Sequence, residues 1–210
     1  MRRYLLSACI LGLLAGSALA ERPRDLPEIS AERLEQAIRS SFDYDRLPPD
    51  LKARLEQDEV QRLCSQYRNE PPADVAERIQ KLSEEAVVFP SDGKFLGDWR
   101  RGEQLSLAGQ GLRMRDDPRR GVGGNCYACH QMAPQEVAYG TLGPSLLQYG
   151  KIRDYDAEAI RTAYIKIYNS NATLACSTMP RYGTQKILSI EDITHILAFL
   201  FDPESPVNKE

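Results

Sequence analysis

The stretch Cys126-Tyr127-Ala128-Cys129-His130 constrains this chain more than any other. Its spacing, C-x-x-C-H, is the pattern by which a polypeptide captures a haem covalently. The two thiols add to the two vinyl groups of one ring and form thioethers. Two intervening residues bring both sulfurs over one edge of that ring, and the adjacent histidine is laid against the iron as an axial ligand. A chain built this way must wrap a flat, largely apolar disc, with one ligand near residue 130 and the rest of the fold arranged around it.

Other uses of a Cys-x-x-Cys pair suit the sequence less well. A structural zinc site wants a second ligand pair at similar spacing. The other histidine here is His195, and Cys64 and Cys176 stand far apart in sequence. A thioredoxin-like redox pair belongs near a βαβ pattern, and no strand-length alternating segment stands out.

The N-terminus carries the same message. Arg2 and Arg3 form a positive n-region, Tyr4 to Leu19 is apolar or small throughout, and Ala18-Leu19-Ala20 is an A-x-A cleavage site. Residues 1–20 read as a cleaved secretory signal peptide, and the mature chain is expected in the periplasm. The apolar run is short for a membrane span, and an uncleaved anchor is the alternative. Leu6-Ser7-Ala8-Cys9 mimics a lipoprotein signal, with only Tyr4-Leu5-Leu6 ahead of it as a hydrophobic region. Arg2-Arg3 hints at a twin-arginine signal. Haem is attached outside the cytoplasmic membrane, which makes an unfolded, Sec-type route the more natural one.

The formal charge of −3 becomes −5 once Arg2 and Arg3 leave with the signal peptide. Such a modest negative charge argues against nucleic acid as a partner. The leader also removes Cys9, so four cysteines remain, two for haem and two to spare. An even remainder in an oxidising compartment points to a Cys64–Cys176 disulfide. The alternative is two unpaired thiols packed as small hydrophobes.

Residues 21–90 are charged and lack glycine, and Pro48-Pro49 and Pro71-Pro72 divide them. They read as a helical extension. One helix is expected near Ala31–Ser41. Another should follow Asp50 as N-cap, with Leu51, Leu55, Leu63 and Tyr67 along one side. A third covers Ala73–Val87, with Val75, Ile79, Leu82 and Ala86 at helical spacing. These helices are short and amphipathic and must pack on the haem domain or on a partner.

Residues 91–210 have the layout of a small helical haem domain. Gly97-Asp98 opens a helix to about Gly109, and a short helix carries the haem cysteines and ends before Pro134. Asp156 begins a helix with the apolar stripe Ile160, Ala163, Tyr164 and Ile167. Ser189 caps a last helix bearing Ile190, Ile193, Ile196, Leu197 and Leu200, which Pro203 bars from continuing. The fold class is all-α.

The second axial ligand decides between electron transfer and ligand chemistry. The choices are Met114, Met132, Met179 and His195. Met132 lies two residues after His130 and is tied to the proximal face. Met114 sits upstream in an arginine-rich loop. His195 falls beside Glu191 and Asp192 and reads as a solvated surface histidine. Met179 precedes a proline in a non-helical stretch, separated from His130 by a loop and a helix, which lets the chain return on the opposite face of the ring. His130 and Met179 are therefore the expected axial ligands of one covalent haem c held by Cys126 and Cys129. Such iron has no open site and a raised potential, which makes it an electron acceptor. Arg113, Arg115, Arg119 and Arg120 either ring the haem edge and steer an acidic partner or form a solvated loop with Asp116 and Asp117.

Gly97-Asp98 with Gly102, the Cys126–His130 motif, Gly143-Pro144, Met179-Pro180 and the closing helix together resemble a class I cytochrome c. The resemblance implies close crossing of the first and last helices at Gly102, and a Pro144 carbonyl that receives the His130 N–H. A narrower resemblance rests on four segments: Gly121–His130, Leu142-Gly143-Pro144-Ser145-Leu146, Met179-Pro180-Arg181-Tyr182-Gly183, and the ending Asp202–Asn208. These are similar to SoxX, the one-haem subunit of the SoxAX cytochrome of thiosulfate oxidation. The likeness covers about residues 91–210.

It implies a role in an L-cysteine S-thiosulfotransferase, which couples thiosulfate oxidatively to a cysteine of a SoxYZ carrier. In that family the reactive haem belongs to the SoxA subunit, and the SoxX haem passes electrons to a downstream cytochrome. The chain alone would then be inactive, with no catalytic residue of its own. A free periplasmic cytochrome c feeding an oxidase would show the same haem motifs, and a self-sufficient haem enzyme would need a vacant sixth site. The extension and the Cys64/Cys176 pair depart from the minimal SoxX pattern.

Overall fold

The computed structural model describes residues 29–49, 52, 55–111 and 121–209. The leader, Asp50, Leu51, Met114 and the arginine-rich loop lie outside the described residues. The described residues form helices and turns without a strand. This is the all-α class read from the sequence.

Two units divide the chain, Met1–Arg46 and Leu47–Glu210. In the first, α1 spans Ala31–Ser41, with Ser30 as N-cap accepting from the Arg33 N–H. None of its residues is buried. Arg39 braces its last turn, 2.8 Å from Glu35 and stacked over the Tyr44 ring.

The second unit holds everything else. Helix α2 is Glu59–Gln66, and its N-cap Asp58 forms a reciprocal capping box with Gln61. A single helix running from Asp50 past Leu63 is therefore not what forms. The chain leaves helical geometry at Glu56–Asp58 because the Asp58 side chain takes the Gln61 N–H and starts a new helix. Helix α3, Ala73–Glu85, ends two residues before the expected Val87. Its buried face is Ile79 and Ser83, and Ala86 falls on the exposed C-cap.

Helix α4, Trp99–Leu107, starts from Asp98, whose carboxylate accepts from the Arg100 N–H. Helix α5 is Ala157–Tyr168, N-capped by Asp156. Helix α6 is Ile190–Phe201, N-capped by Ser189 in a capping box with Asp192. Cys126 opens a single 3-10 turn, Cys126–Ala128, and Cys129 caps its end.

α4 and α6 are the most extensively packed helix pair. Their crossing needs glycine at position 102. A Cβ there would stand 2.0 Å from the His195 carbonyl oxygen and 2.9 Å from the Phe199 Cβ, so the backbones meet with no side chain between them. The main core lies beneath, with Tyr164, Ile193, Leu197, Phe199 and Phe201 almost wholly buried. The Tyr164 hydroxyl donates to the Val88 carbonyl at 2.6 Å and stitches the segment after α3 to α5.

A second, smaller core consists of Val60, Cys64, Ile79 and Cys176, with Leu63, Val75, Leu82 and Ala175 packed against it. The apolar faces of α2 and α3 are thus covered from within, by residues 170–176. Asn169 Nδ2 donates to the Ser83 carbonyl at 3.2 Å across the same seam. The Cys64–Cys176 disulfide closes it, with the two Cα atoms 5.4 Å apart.

The C-terminal tail is anchored by Asn208, which is 5 % exposed. Its Oδ1 accepts from the Gly150 and Lys151 N–H groups, and its Nδ2 donates to the Leu200 and Asp202 carbonyls.

Candidate haem site

The haem motif is presented by a chain reversal. Asn125 adopts a left-handed conformation at φ 48° just ahead of Cys126. The Cys129 and His130 N–H groups then both donate to the Cys126 carbonyl. The returning segment runs alongside: Gly143 N–H donates to the Cys129 carbonyl at 2.8 Å, and Leu146 N–H to the Gln131 carbonyl at 2.7 Å.

That pairing sets the histidine. His130 Nδ1 lies 2.8 Å from the Pro144 carbonyl oxygen. A carbonyl only accepts, so Nδ1 carries the hydrogen and Nε2 keeps its lone pair for a metal. Gly143 backs the ring so closely that a Cβ there would stand 2.2 Å from Cε1 and 2.7 Å from Nε2.

Cys126, Cys129, His130 and Met179 all line one cavity of about 230 Å³. Its walls are largely apolar. Leu142, Gly143 and Pro144 lie with the histidine, and Leu174, Pro180 and Tyr182 with the methionine. The two cysteines are not bonded to each other. Burial pushes the Cys126 thiol up to about 11, so the sulfur is uncharged, as suits a thioether in an apolar wall. Two uncommitted thiols, a histidine with Nε2 available and a thioether facing one apolar space make a donor set that suits haem c.

The methionine is held by its backbone. Its carbonyl accepts from the Ser170 hydroxyl at 2.5 Å, and its N–H donates to Ser177 Oγ at 3.3 Å. The Tyr182 hydroxyl, three residues on, donates to the Gly124 carbonyl and ties the methionine segment to the haem-motif segment. Leu142 and Leu174 are exposed, 75 % and 60 %, where they border the cavity. Lys166 also borders it and donates to the Ser170 carbonyl at 3.3 Å. Desolvation lowers the pKa of its ammonium. Lys166 was not among the residues expected here. It sits at a helical position that carried no motif.

Of the other ligand choices, Met132 is 1 % exposed and belongs to the main core. His195 is not the solvated histidine its acidic neighbours led one to expect. Its side chain is 20 % exposed, and its Nδ1 accepts from the Asp98 N–H at 2.8 Å. That bond satisfies an amide at the start of α4, so the ring serves the helix crossing and does not line the haem cavity.

The sequence model of the Cytochrome c family matches residues 109–202. This span contains Cys126, Cys129, His130 and Met179. The chain is also 40 % identical over 161 residues to a protein of Aquifex aeolicus (strain VF5) described as an uncharacterized lipoprotein. The alignment covers 75 % of this chain and 76 % of that relative.

Proposed function

We propose that this chain, whose residues 109–202 carry a cytochrome c family domain, is a one-haem electron-transfer subunit in which His130 and Met179 would hold the iron. The observation that carries this reading is the single apolar cavity lined by both ligands and both haem cysteines. Bound there, haem c supplies a one-electron couple between ferric and ferrous iron. The protein's part is to fix two ligands and exclude water. Pro144 holds the His130 proton at Nδ1, and the Ser170 and Ser177 hydroxyls hold the Met179 backbone. The Met179 thioether would favour the ferrous state of a bound haem, and the apolar wall would do the same by disfavouring the extra positive charge of the ferric state.

The narrower proposal is that this chain is the X subunit of a SoxAX-type L-cysteine S-thiosulfotransferase. Joining the outer sulfur of thiosulfate to a carrier cysteine thiol forms one S–S bond and releases two electrons and a proton. The partner of SoxA type would conduct that chemistry on a carrier of SoxYZ type. This chain would take the electrons singly and pass them to a downstream cytochrome. Support comes from the Met179–Gly183 and Asp202–Asn208 segments. A free electron carrier is the alternative, and the packing of α2 and α3 favours it to this extent: those helices are covered from within and do not by themselves call for a partner. Extracytoplasmic location accords with covalent haem and with the lipoprotein relative. Removal of residues 1–20 is the form of export we propose, and the intact mass of the mature protein distinguishes it from lipidation at Cys9.

The deciding experiment isolates the chain from its native source with whatever binds it, then assays thiosulfate conjugation to a carrier cysteine. The subunit reading expects a co-purifying second cytochrome, no turnover by this chain alone, and reduction of the complex by thiosulfate only when carrier is present. Turnover by this chain alone, or recovery of a stable monomer that leaves conjugation unaffected when removed, would sink it.

A further inference from the structure

Met179 is bracketed by two tethers that end on the same short helix. Three residues before it, Cys176 is bonded to Cys64 in the body of α2. Two residues after it, Arg181 reaches Asp58, the N-cap of α2, with Nη1 2.8 Å from Oδ2. Both tethers are sheltered. Cys64 and Cys176 are each 8 % exposed, and the Arg181 side chain is 7 % exposed. α2 is itself held down on α3 by Val60, Leu63 and Ile79.

The segment needs such support. It is irregular from Thr173 to Arg181, and Cys176 stands at φ 56°, a conformation that costs a non-glycine residue free energy and persists only where its surroundings impose it. A thioether is also a weak ligand, so its occupancy of the iron depends on how tightly the protein restrains the loop that carries it. A loop fixed at both ends has little freedom to swing its methionine away.

We propose that α2 is a splint for the sixth ligand, and that Asp58, Arg181 and the Cys64–Cys176 bond are positioning groups acting on the iron through Met179. The proposal rests on the reading of Met179 as ligand. It assigns the second half of the helical extension a task within the haem site. It also makes the site responsive to thiol reductants: a dithiol that reduces Cys64–Cys176 becomes a cyclic disulfide itself, leaves two protein thiols, and removes the tighter of the two tethers. The Asp58–Arg181 pair is the weaker one, because Asp58 is partly solvated.

The test compares the holoprotein with the Cys64→Ser/Cys176→Ser, Asp58→Asn and Arg181→Gln variants, with their combination, and with Met179→Ala. Two properties are read under conditions where far-UV circular dichroism shows each variant folded. One is the near-infrared sulfur-to-iron band of the ferric protein. The other is the rate of carbon monoxide binding to the ferrous protein, which requires the methionine to leave. The splint expects the disulfide-free variant to bind carbon monoxide at least tenfold faster than wild type, and Asp58→Asn and Arg181→Gln about threefold faster. Arg181→Lys, which keeps the ion pair, should restore most of the wild-type rate. The combined variant should approach Met179→Ala. If the disulfide-free variant does not fold, the Asp58 and Arg181 variants carry the test alone. Wild-type rates in every folded tether variant, with the band lost only in Met179→Ala, would overturn the splint and leave Met179 as ligand. A Met179→Ala spectrum identical to wild type would remove the ligation reading, and the splint with it.

Discussion

His130 Nδ1 and the Pro144 carbonyl oxygen lie 2.8 Å apart, and the ring rests on a residue that has no side chain, Gly143. The backbone of one short loop thus chooses the tautomer and also fixes the plane of the imidazole. Gly143→Ala would push a methyl into that ring. The substitution should cost about 1–3 kcal/mol of overpacking and turn the imidazole away from the orientation in which its Nε2 would hold the iron. The expected outcome is a lower urea midpoint and a high-spin component in the ferric absorption spectrum. A variant with wild-type spectrum and stability would show that the ring has room the structure does not give it.

Covalent attachment has a simple check. One C-x-x-C-H motif is present, so the mature protein should gain the mass of one haem, and the haem should survive acid–acetone extraction. Cys126→Ser/Cys129→Ser should release it to the extract. Two haem masses on one chain would count against the one-haem reading.

Asn208 satisfies four backbone groups from one buried side chain, two on the turn at Gly150 and two at the end of α6. Asn208→Ala removes all four of these bonds, although the Gly150 N–H still meets the Leu200 carbonyl and the Asp202 carbonyl still accepts from the Ser205 N–H. At about 1 kcal/mol net for each lost bond, it should destabilise the unit by about 2–4 kcal/mol. The haem spectrum should be unchanged at low temperature, because the tail does not line the cavity. A loss under 0.5 kcal/mol in urea unfolding would mean that water replaces the amide there.

The haem motif, the all-α class and the helix starts at Asp98, Asp156 and Ser189 were legible because each rests on local chemistry: thiol spacing at Cys126 and Cys129, and a carboxylate or hydroxyl that accepts from the first turn. The Cys64–Cys176 bond was legible from cysteine arithmetic alone. What the sequence hid was non-local. The break at Glu56–Asp58 is a contest between an apolar stripe and a capping box, and periodicity registers only the stripe. His195 sits among acidic neighbours along its helix, yet its partner is an amide almost a hundred residues away. The destination of the α2 and α3 faces was open because an amphipathic stripe says that a surface is buried and nothing about what buries it. The tail was matched as a pattern, and only the packing shows what its asparagine does.

Lys166 gives the site a pH dependence with a definite sign. Its ammonium borders the haem cavity and is half-buried, and desolvation lowers its pKa from the ordinary value of 10.5. While protonated, it places a positive charge beside an iron that gains one more positive charge on oxidation. That repulsion favours the ferrous state and raises the potential. Deprotonation removes the repulsion, so the potential should fall as pH rises through the lowered Lys166 pKa, below 10.5. The stability effect runs the other way. A lysine whose folded pKa is depressed opposes folding when charged, so the penalty is full below its folded pKa, shrinks as pH rises from the folded to the unfolded value, and is gone above the unfolded one. Lys166→Met should therefore lower the potential measured near neutrality, flatten its alkaline fall, and leave the sulfur-to-iron band in place, since the lysine is not a ligand. A potential that falls with the same profile in Lys166→Met would assign the titration to another group.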